Sequence, residues 1–177
     1  MRIISGSLRG RTFYPPTNAG MRPTTDMARE ALFNILPALI DFEGKVVLDL
    51  FSGSGGMALE FISRGVEYVY AVEKKAQLAK FIKDTAEKFN VDNLKVIQQD
   101  AYKLLLSYNI PTDIVFADPP YDMPGIDDLP DMIYKKRAII NEGGLFILEH
   151  NSAHNYSDHE RFMQSRKYGK VHFTIFQ

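Results

Sequence analysis

Short apolar runs and helix-like patterns alternate along most of the chain. Runs rich in β-branched and aromatic residues, each closed by a turn-forming or polar residue, predict strands at residues 45–50, 68–72, 94–97, 113–117 and 144–149. Apolar residues at three- and four-residue spacing predict helices between them, at residues 26–36, 57–62, 76–89 and 126–140, with a short helix after Asp100. A closing hairpin is predicted over residues 162–176, turning at Tyr168-Gly169.

This alternation is typical of right-handed βαβ units. It predicts an α/β domain in which a doubly wound, mostly parallel sheet ends in an antiparallel C-terminal hairpin. Residues 1–5 and 11–14 are predicted to be short strands around residues 6–10, which gives an N-terminal β-hairpin arm. The expected division is therefore an arm over residues 1–24 and the main domain over residues 25–177.

Positive charge is concentrated in the arm. Residues 1–25 hold four arginines and no Asp or Glu, whereas the whole chain has a formal net charge of −1. The four are Arg2, Arg9, Arg11 and Arg22. This distribution favours contact with nucleic-acid phosphates, although a solvated basic tail would have the same composition.

Composition narrows the class of protein. A length of 177 residues with 45% hydrophobic content fits a single globular domain. No apolar run approaches the roughly 18 residues of a membrane span, and no signal-peptide pattern is present, so we expect a soluble cytoplasmic protein and a monomer.

The absence of cysteine excludes disulfides, thiolate zinc sites and a cysteine nucleophile. His150, His154, Asp158 and His159 have loose metal-like spacing without a helical face, so no metal is expected.

The fourth predicted strand ends in an unusual group of residues, Asp118-Pro119-Pro120-Tyr121. The two prolines stiffen the chain and remove two amide donors, so the carbonyls before them are left as acceptors. A carboxylate, a carbonyl oxygen and an aromatic ring together suit a planar exocyclic amine on a ring that can stack. The alternative is an ordinary turn at the end of the strand, since the dipeptides Asp-Pro and Pro-Pro are both common in turns.

A glycine-rich turn follows the first strand. Phe51-Ser52 leads into Gly53 and Gly55, which let the chain pass close to a ligand, and the helix that follows favours an anion at its N-terminus. The spacing also satisfies a dinucleotide fingerprint, with Glu73 in the place of a ribose-binding acid. An NAD-binding module is therefore one interpretation, and a tight turn beside a surface acid is another.

Two acidic residues favour a different ligand. Asp49, within the first strand, would repel a pyrophosphate but attract an ammonium group, and Asp100 after the third strand would accept from an adenine amine. A ligand with an ammonium group, a carboxylate, a ribose diol and an adenine matches this order of residues. That ligand is S-adenosylmethionine.

Taken together, these motifs resemble those of class I methyltransferases that act on exocyclic nitrogens. They comprise residues 49–55 (DLFSGSG), Glu73, Asp100-Ala101 and Asp118–Tyr121. Residues 1–6 (MRIISG), 8–11 (LRGR), 22–26 (RPTTD) and 29–36 (REALFNIL) closely resemble the RsmD family. The resemblance covers nearly the whole chain, and its N-terminal block is the more specific part.

The resemblance implies a Rossmann-like methyltransferase that transfers a methyl group to N2 of one guanine in 16S ribosomal RNA, the RNA of the small ribosomal subunit. It implies a cofactor site formed by Arg22, Thr24, Thr25, Asp49, Phe51, Ser52, Gly53, Gly55, Glu73, Lys74, Asp100, Ala101 and Asp118. It also implies a catalytic role for Asp118, Pro119, Pro120 and Tyr121, and RNA contacts by the four arginines. Residues 151–157 are polar where a helix would be usual, and no role is transferred to them.

The expected chemistry is mainly positioning. A guanine 2-amine is a poor nucleophile, because its lone pair is shared with the ring. Hydrogen bonds to Asp118 and the Pro119 carbonyl would aim that lone pair at the methyl group, while Tyr121 stacks on a base taken out of its helix. Adenine-N6 methylation of DNA or RNA remains an alternative. The substrate is either naked ribosomal RNA or an assembling particle, and the lack of cysteine argues against methylation at a pyrimidine C5.

Overall fold

The computed structural model describes residues 1–16, 25–136 and 139–177. These residues form a seven-stranded sheet with strands β1 (Val46–Asp49), β2 (Tyr68–Val72), β3 (Leu94–Ile97), β4 (Thr112–Ala117), β5 (Ile140–His150), β6 (Phe162–Tyr168) and β7 (Val171–Phe176). The helices are α1 (Asp26–Ile35), α2 (Gly56–Ser63), α3 (Ala76–Phe89), α4 (Ala101–Leu105) and α5 (Leu129–Asp131). Short 3-10 turns at Leu36–Ala38 and Ile126–Asp128 and a π-helical turn at Met132–Lys136 complete the helical segments.

The strand order is β3-β2-β1-β4-β5-β7-β6. The first five strands of this order are parallel, whereas β7 runs antiparallel to both of its neighbours. The predicted doubly wound sheet with an antiparallel C-terminal hairpin is therefore confirmed. The insertion of β7 between β5 and β6 also differs from the order 3-2-1-4-5-6 of dinucleotide-binding folds.

The order reverses between β1 and β4. From β1 the chain builds outward through β2 and β3, and it then returns to add β4 on the other side. Ligands of open α/β sheets bind at the carboxyl ends of the strands beside such a reversal. The fold therefore places the glycine turn after β1 next to the residues that follow β4.

The sequence predicts most element bounds, and β2, α3 and β3 begin and end at the predicted residues. The prediction of a helix over residues 126–140 is wrong at its end, because Ile140 already begins β5 and the described helical residues reach only Lys136. Thr112 pairs with Ile140 across a shift of register, which extends β5 beyond the predicted start at residue 144. In the arm, the two predicted strands are reduced to one antiparallel bridge between Arg2 and Thr12.

Apolar residues fill both faces of the sheet. On one face the arm, α1, α2 and α3 form a single cluster, in which the rings of Phe33 and Phe61 lie 4.7 Å apart. On the other face α4, α5 and the residues around them form a second cluster with β4, β5 and Phe176. Within the described ranges, no helix has both the length and the apolar character needed to cross a membrane.

A buried carboxylate fastens the arm to α2. Glu60 is fully buried, and it accepts hydrogen bonds from the amides of Ile4 (2.8 Å) and Ser5 (3.1 Å) and from Nε of Arg64 (2.8 Å). Nε of the equally buried Arg29 lies 3.9 Å away, and burial lowers the pKa of Arg29. The carboxylate thus links the arm, α1 and α2 at one buried point.

The arm also contacts the end of α2. The amide of Leu8 donates to Oγ of Ser63 (2.9 Å), and the amide of Ser7 donates to its carbonyl (2.7 Å). Gly6 has a φ of +83°, and a Cβ at this position would lie 1.6 Å from the Ser63 carbonyl oxygen. Only glycine therefore allows this close approach.

Replacing Glu60 with alanine is expected to lower the free energy of unfolding by about 3–5 kcal/mol, because it takes a carboxylate partner from a buried guanidinium and the acceptor from two arm amides. Urea denaturation followed by circular dichroism measures the change. Asp84→Ala is the matched control, since it removes only an exposed ion pair with Lys80 and should barely shift the midpoint. A Glu60 variant with the wild-type midpoint would contradict this account.

Candidate active site

A cavity of about 530 Å³ opens at the carboxyl edge of the sheet. Residues that follow each of the first four strands line it, together with Glu149 near the end of β5. The glycine turn and the Asp118–Tyr121 segment both belong to this lining. The structure therefore brings into one cavity the two motifs that the sequence singles out separately.

The glycine turn is fixed by a hydrogen bond within the turn and by hydrogen bonds to Glu73, the residue after β2. The amide of Gly55 donates to the carbonyl of Ser52 (2.7 Å), and Gly55 caps α2 with a φ of +80°. The amide of Gly53 donates to Oε2 of Glu73 (2.9 Å), whose Oε1 accepts from the amide of Lys75 (2.7 Å). Each carboxylate oxygen keeps a further lone pair for a ligand hydroxyl.

Asp100 lies on the rim of the cavity as the N-cap of α4. Its Oδ1 accepts from the amide of Lys103 (3.2 Å), and its Oδ2 lies 3.1 Å from Nζ of Lys74. Lys74 is the main reason that the pKa of Asp100 is lowered. Asp100 is therefore an ionised acceptor across the neutral pH range.

Asp49 lies behind the cavity wall, not on its surface. Its side chain is fully buried, and neither carboxylate oxygen has a hydrogen-bond partner among the described residues. The hydroxyl of Ser52 and the amides of Phe51 and Ala58 are close enough to favour the charged form, but burial outweighs them and raises the pKa of Asp49 to about 7. An unpaired carboxyl group beneath the glycine turn is a site where a nearby cation would shift ionisation.

The residues after β4 present acceptors to the cavity. The carbonyl of Pro120 accepts from the amide of Met123 (2.9 Å), whereas no main-chain amide among the described residues donates to the carbonyl of Pro119. Asp118 and Tyr121 line the cavity beside them. The Tyr121 hydroxyl donates to Oε1 of Glu149 (3.1 Å), which fixes the far end of the ring.

The main chain of Tyr121 is held by a histidine that the sequence analysis left without a role. Nε2 of His154 lies 3.1 Å from the Tyr121 carbonyl oxygen, and its Nδ1 lies 2.9 Å from Oδ1 of Asp127. The Tyr156 hydroxyl donates to the same Asp127 oxygen (2.8 Å), which is the main reason that the pKa of Asp127 is lowered. Both partners of His154 are acceptors, so both contacts are hydrogen bonds only when its ring carries two protons.

The predicted site residues fall into three groups. Those that line the cavity are Thr25, Phe51, Ser52, Gly53, Glu73, Lys74, Asp100, Ala101, Asp118, Pro119, Pro120 and Tyr121. Asp49 and Gly55 support the glycine turn without lining the cavity. Arg22 and Thr24 lie outside the described residues. Sequence reasoning missed Glu149 and His154, because no local pattern marks a side chain that contacts a segment about 30 residues away in the chain.

Of the arm arginines, Arg2, Arg9 and Arg11 do not line the cavity, and Arg22 is outside the described residues. Nη1 of Arg11 donates to the carbonyl of Phe89 (3.2 Å), and its guanidinium lies 5.2 Å from the centre of that ring. Phe89 ends α3, so the Arg11 side chain packs at the opposite end of this helix from Leu78, which lines the cavity. RNA contact by the arm remains a prediction, and Met1, which exchanges two hydrogen bonds with Phe13, brings the start of the arm to the cavity.

The His150–His159 segment lacks the helix that often follows a fifth strand, as the sequence predicts. His150 is buried between strands, where Nδ1 contacts the Asn151 carbonyl (2.8 Å) and Nε2 contacts Thr174 (2.7 Å). His159 pairs with Asp131 (3.2 Å). Among the described residues, no group of three or more His, Cys, Asp or Glu side chains is arranged to hold a metal ion.

Comparison with known proteins gives matches across the chain. Residues 1–177 match the family described as "Conserved hypothetical protein 95". Two similar proteins are each named ribosomal RNA small subunit methyltransferase D. That of Escherichia coli (strain K12) is 30% identical over 148 residues, which cover 83% of this chain and 73% of the relative. That of Buchnera aphidicola subsp. Acyrthosiphon pisum is 32% identical over 148 residues, covering 82% of this chain and 75% of the relative.

A solved structure supports the same relationship. The yhhF protein of Escherichia coli superposes with a TM-score of 0.86 at 26% identity, covering 100% of this chain and 97% of that chain. The shared fold therefore includes the antiparallel hairpin as well as the parallel strands. The resemblance inferred from the sequence motifs is confirmed: the chain belongs to the family described as conserved hypothetical protein 95, the RsmD family.

Proposed function

We propose that this protein is an S-adenosylmethionine-dependent methyltransferase that modifies the exocyclic N2 of one guanine in 16S ribosomal RNA. The observation that carries the proposal is the single cavity lined both by the glycine turn after β1 and by Asp118–Tyr121 after β4. The names of the two relatives supply the class of RNA. The motif at the end of β4 supplies the class of acceptor, an aromatic amine.

The cavity has a suitable group for each part of the cofactor. When bound, S-adenosylmethionine supplies a methyl group on a positively charged sulfur. The N-terminus of α2 favours its carboxylate, and Glu73 has lone pairs for the ribose hydroxyls. Asp100 is an ionised acceptor for the adenine amine. Thr25, Lys74 and the ring of Phe51 complete the proposed contacts.

Acceptors at the end of β4 would orient the substrate. A guanine 2-amine has two N–H groups, and the Asp118 carboxylate and the Pro119 carbonyl offer two oxygens. Each hydrogen bond to a charged group contributes about 1.5–3 kcal/mol, whereas in-line placement of two reactants contributes up to about 7–11 kcal/mol. Asp118 is therefore mainly an orienting group. Transfer of the methyl group that the cofactor would supply would leave a surplus proton on the amine nitrogen, and Asp118 or water would accept it.

Tyr121 gives the cavity an aromatic wall for the base. A guanine inside a helix cannot present its amine to a buried methyl donor, so the base has to leave its stack. The hydrogen bond from Tyr121 to Glu149 holds the ring in place for stacking. Stacking on an aromatic side chain contributes about 1–3 kcal/mol per base, which offsets part of the cost of unstacking.

The test of the proposed function is transfer of labelled methyl to ribosomal RNA from cells that lack this gene, with mass spectrometry of the modified nucleotide. N2-methylguanosine is the expected product. If the product is N6-methyladenosine instead, the acceptor is the adenine 6-amine, which the same motif can orient, and the guanine assignment is wrong. Binding of NAD in preference to S-adenosylhomocysteine, measured by calorimetry, would overturn the cofactor assignment.

Asp118→Ala is expected to lower the turnover of methyl transfer at least about 100-fold, because it removes a charged acceptor and the alignment that it imposes. Binding of S-adenosylhomocysteine should remain within about threefold of wild type, since most cofactor contacts lie elsewhere. Filter-binding assays with tritiated cofactor measure the rate. Asp118→Asn keeps one acceptor oxygen, so its turnover should lie between those of the wild type and the alanine variant. An alanine variant with the wild-type rate would refute the role of Asp118.

His154→Ala is expected to lower turnover about tenfold, because one hydrogen bond of about 1–1.5 kcal/mol no longer holds the Tyr121 carbonyl. The KM for the cofactor should not change, since His154 does not line the cavity. His159→Ala is the matched control, because it breaks a similar pair with Asp131 elsewhere in the same segment. Equal losses in the two variants would indicate general destabilisation, not positioning of the Tyr121 loop.

Binding of the cationic cofactor is expected to release a proton near neutral pH. Below about pH 7 the buried Asp49 carboxyl group is neutral, and a positive charge in the adjoining cavity favours its ionised form. Affinity for S-adenosylmethionine should therefore rise between about pH 6 and pH 8, and more than affinity for S-adenosylhomocysteine, which lacks the sulfonium charge. Calorimetry in buffers of different ionisation enthalpy measures the protons released. The same pH dependence in Asp49→Asn would assign it to another group.

A further inference from the structure

The turn between β6 and β7 lies at the same edge of the sheet as the cavity. β7 runs antiparallel to β5, with His172 opposite His150, so the start of β7 adjoins the end of β5. Val171, the first residue of β7, lines the proposed active-site cavity. The turn at Gly169-Lys170, which joins the two strands, is therefore a part of the catalytic edge.

A second cavity, of about 420 Å³, lies between this turn and the loop that follows β5. Its lining includes Tyr121, Asn151, Ser152, Lys167, Lys170 and His172. Tyr121 lines both cavities, so the residue assigned to the target base is shared by the two spaces. A chain that places one nucleotide in the first cavity has to pass close to the second.

The second cavity is basic. Two lysines and no acidic residue line it. Neither Lys167 nor Lys170 has a carboxylate within ion-pair distance in the described parts of the chain. Other lysines do have such partners, namely Lys45, Lys74, Lys80 and Lys135. Lys167, near the end of β6, and Lys170, in the turn, are therefore available to an external anion.

The remaining lining groups suit a phosphodiester. The Asn151 side-chain amide and the Ser152 hydroxyl are neutral donors that can bond phosphate oxygens, and lysine ammonium groups neutralise their charge. The ring of His172, which lines the cavity, is stacked on that of His150 at a distance of 5.5 Å, and this contact restricts its movement. Lys167 is opposite His172 in the β6–β7 pairing, so both side chains are on one face of the hairpin.

We propose that the second cavity binds the phosphate backbone of the RNA strand next to the target nucleotide, with Lys167 and Lys170 as the charged contacts. This inference rests on the proposed function, because it assigns a place to the flanking strand of the same substrate. Tyr121 then stands between the base in one cavity and the adjoining phosphodiester in the other. The contact is independent of base identity, so it fixes the register of the strand and leaves recognition of the base to the first cavity.

The location of the arm supports this assignment. Arg11 is engaged with Phe89 at the far end of α3, and Arg9 is in the turn that packs against the end of α2. Neither arginine lines either cavity. Lys167 and Lys170 therefore supply the positive charge of the second cavity without a contribution from these two arm residues.

The test compares Lys167→Ala/Lys170→Ala with the control Lys83→Ala/Lys88→Ala, which removes the same charge from exposed positions on α3. The measurement is binding of fluorescent single-stranded ribosomal RNA, in the presence of S-adenosylhomocysteine, from about 50 to about 200 mM salt. Each lost phosphate contact reduces the slope of log affinity against log salt by about 0.7. The turn variant should lose about 0.7–1.4 in slope and bind the RNA at least tenfold more weakly at the lowest salt.

Steady-state kinetics provides the second readout. In the turn variant the KM for RNA should rise at least tenfold while the turnover at saturating RNA stays within about twofold of wild type. Unchanged RNA affinity and salt slope would overturn the proposal, as would a loss of turnover with unchanged KM. An effect confined to assembled particles, absent with naked RNA, would assign the lysines to a ribosomal protein and also overturn it.

The two levels of inference fail in different ways. If the wild-type protein transfers no methyl group to ribosomal RNA, the proposed function fails. If it does transfer methyl and the turn variant behaves as the α3 control, only the backbone contact fails. Circular dichroism of both double variants confirms that the comparison is made between folded proteins.

Discussion

The parallel pairing of β1 with β4 is the constraint on which the candidate site depends. Asp49 is opposite Phe116 in this pairing, so the turn after β1 and the segment after β4 leave the sheet side by side. Neither motif alone forms a cavity that could hold a methyl donor and its acceptor together. The reversal of strand order at this point creates the space, and the other strands contribute further walls.

The parts of the structure that could be predicted from the sequence are those governed by local physics. Turn-bounded apolar runs locate β2 and β3, and a regular apolar stripe locates α3, because these patterns depend on neighbours a few residues away. The same holds for the glycine turn and for Asp118, which sit directly after their strands. Their convergence also followed from the sequence, since parallel strands share one carboxyl edge.

The remaining features depend on contacts between distant parts of the chain. His154 reaches Tyr121 and Asp127, which are 33 and 27 residues away, through an irregular segment whose path has no periodic signal. Glu149 reaches Tyr121 because of the β4–β5 pairing. Burial of Asp49 depends on the pairing of β1 with β2 and β4, which places Ala71 and Phe116 on either side of it. A basic composition likewise could not show that Arg11 contacts Phe89 within the fold.

The attachment of Tyr121 at both its hydroxyl and its carbonyl has a consequence for how RNA and protein adapt to one another. Ordering a mobile four-residue loop on association would cost about 4–8 kcal/mol of backbone entropy, which any complex would have to overcome. Here that ordering accompanies folding, since Glu149 and His154 hold the loop through the fold itself. The segment that carries Tyr121 is thus ordered by the fold itself, before any partner binds.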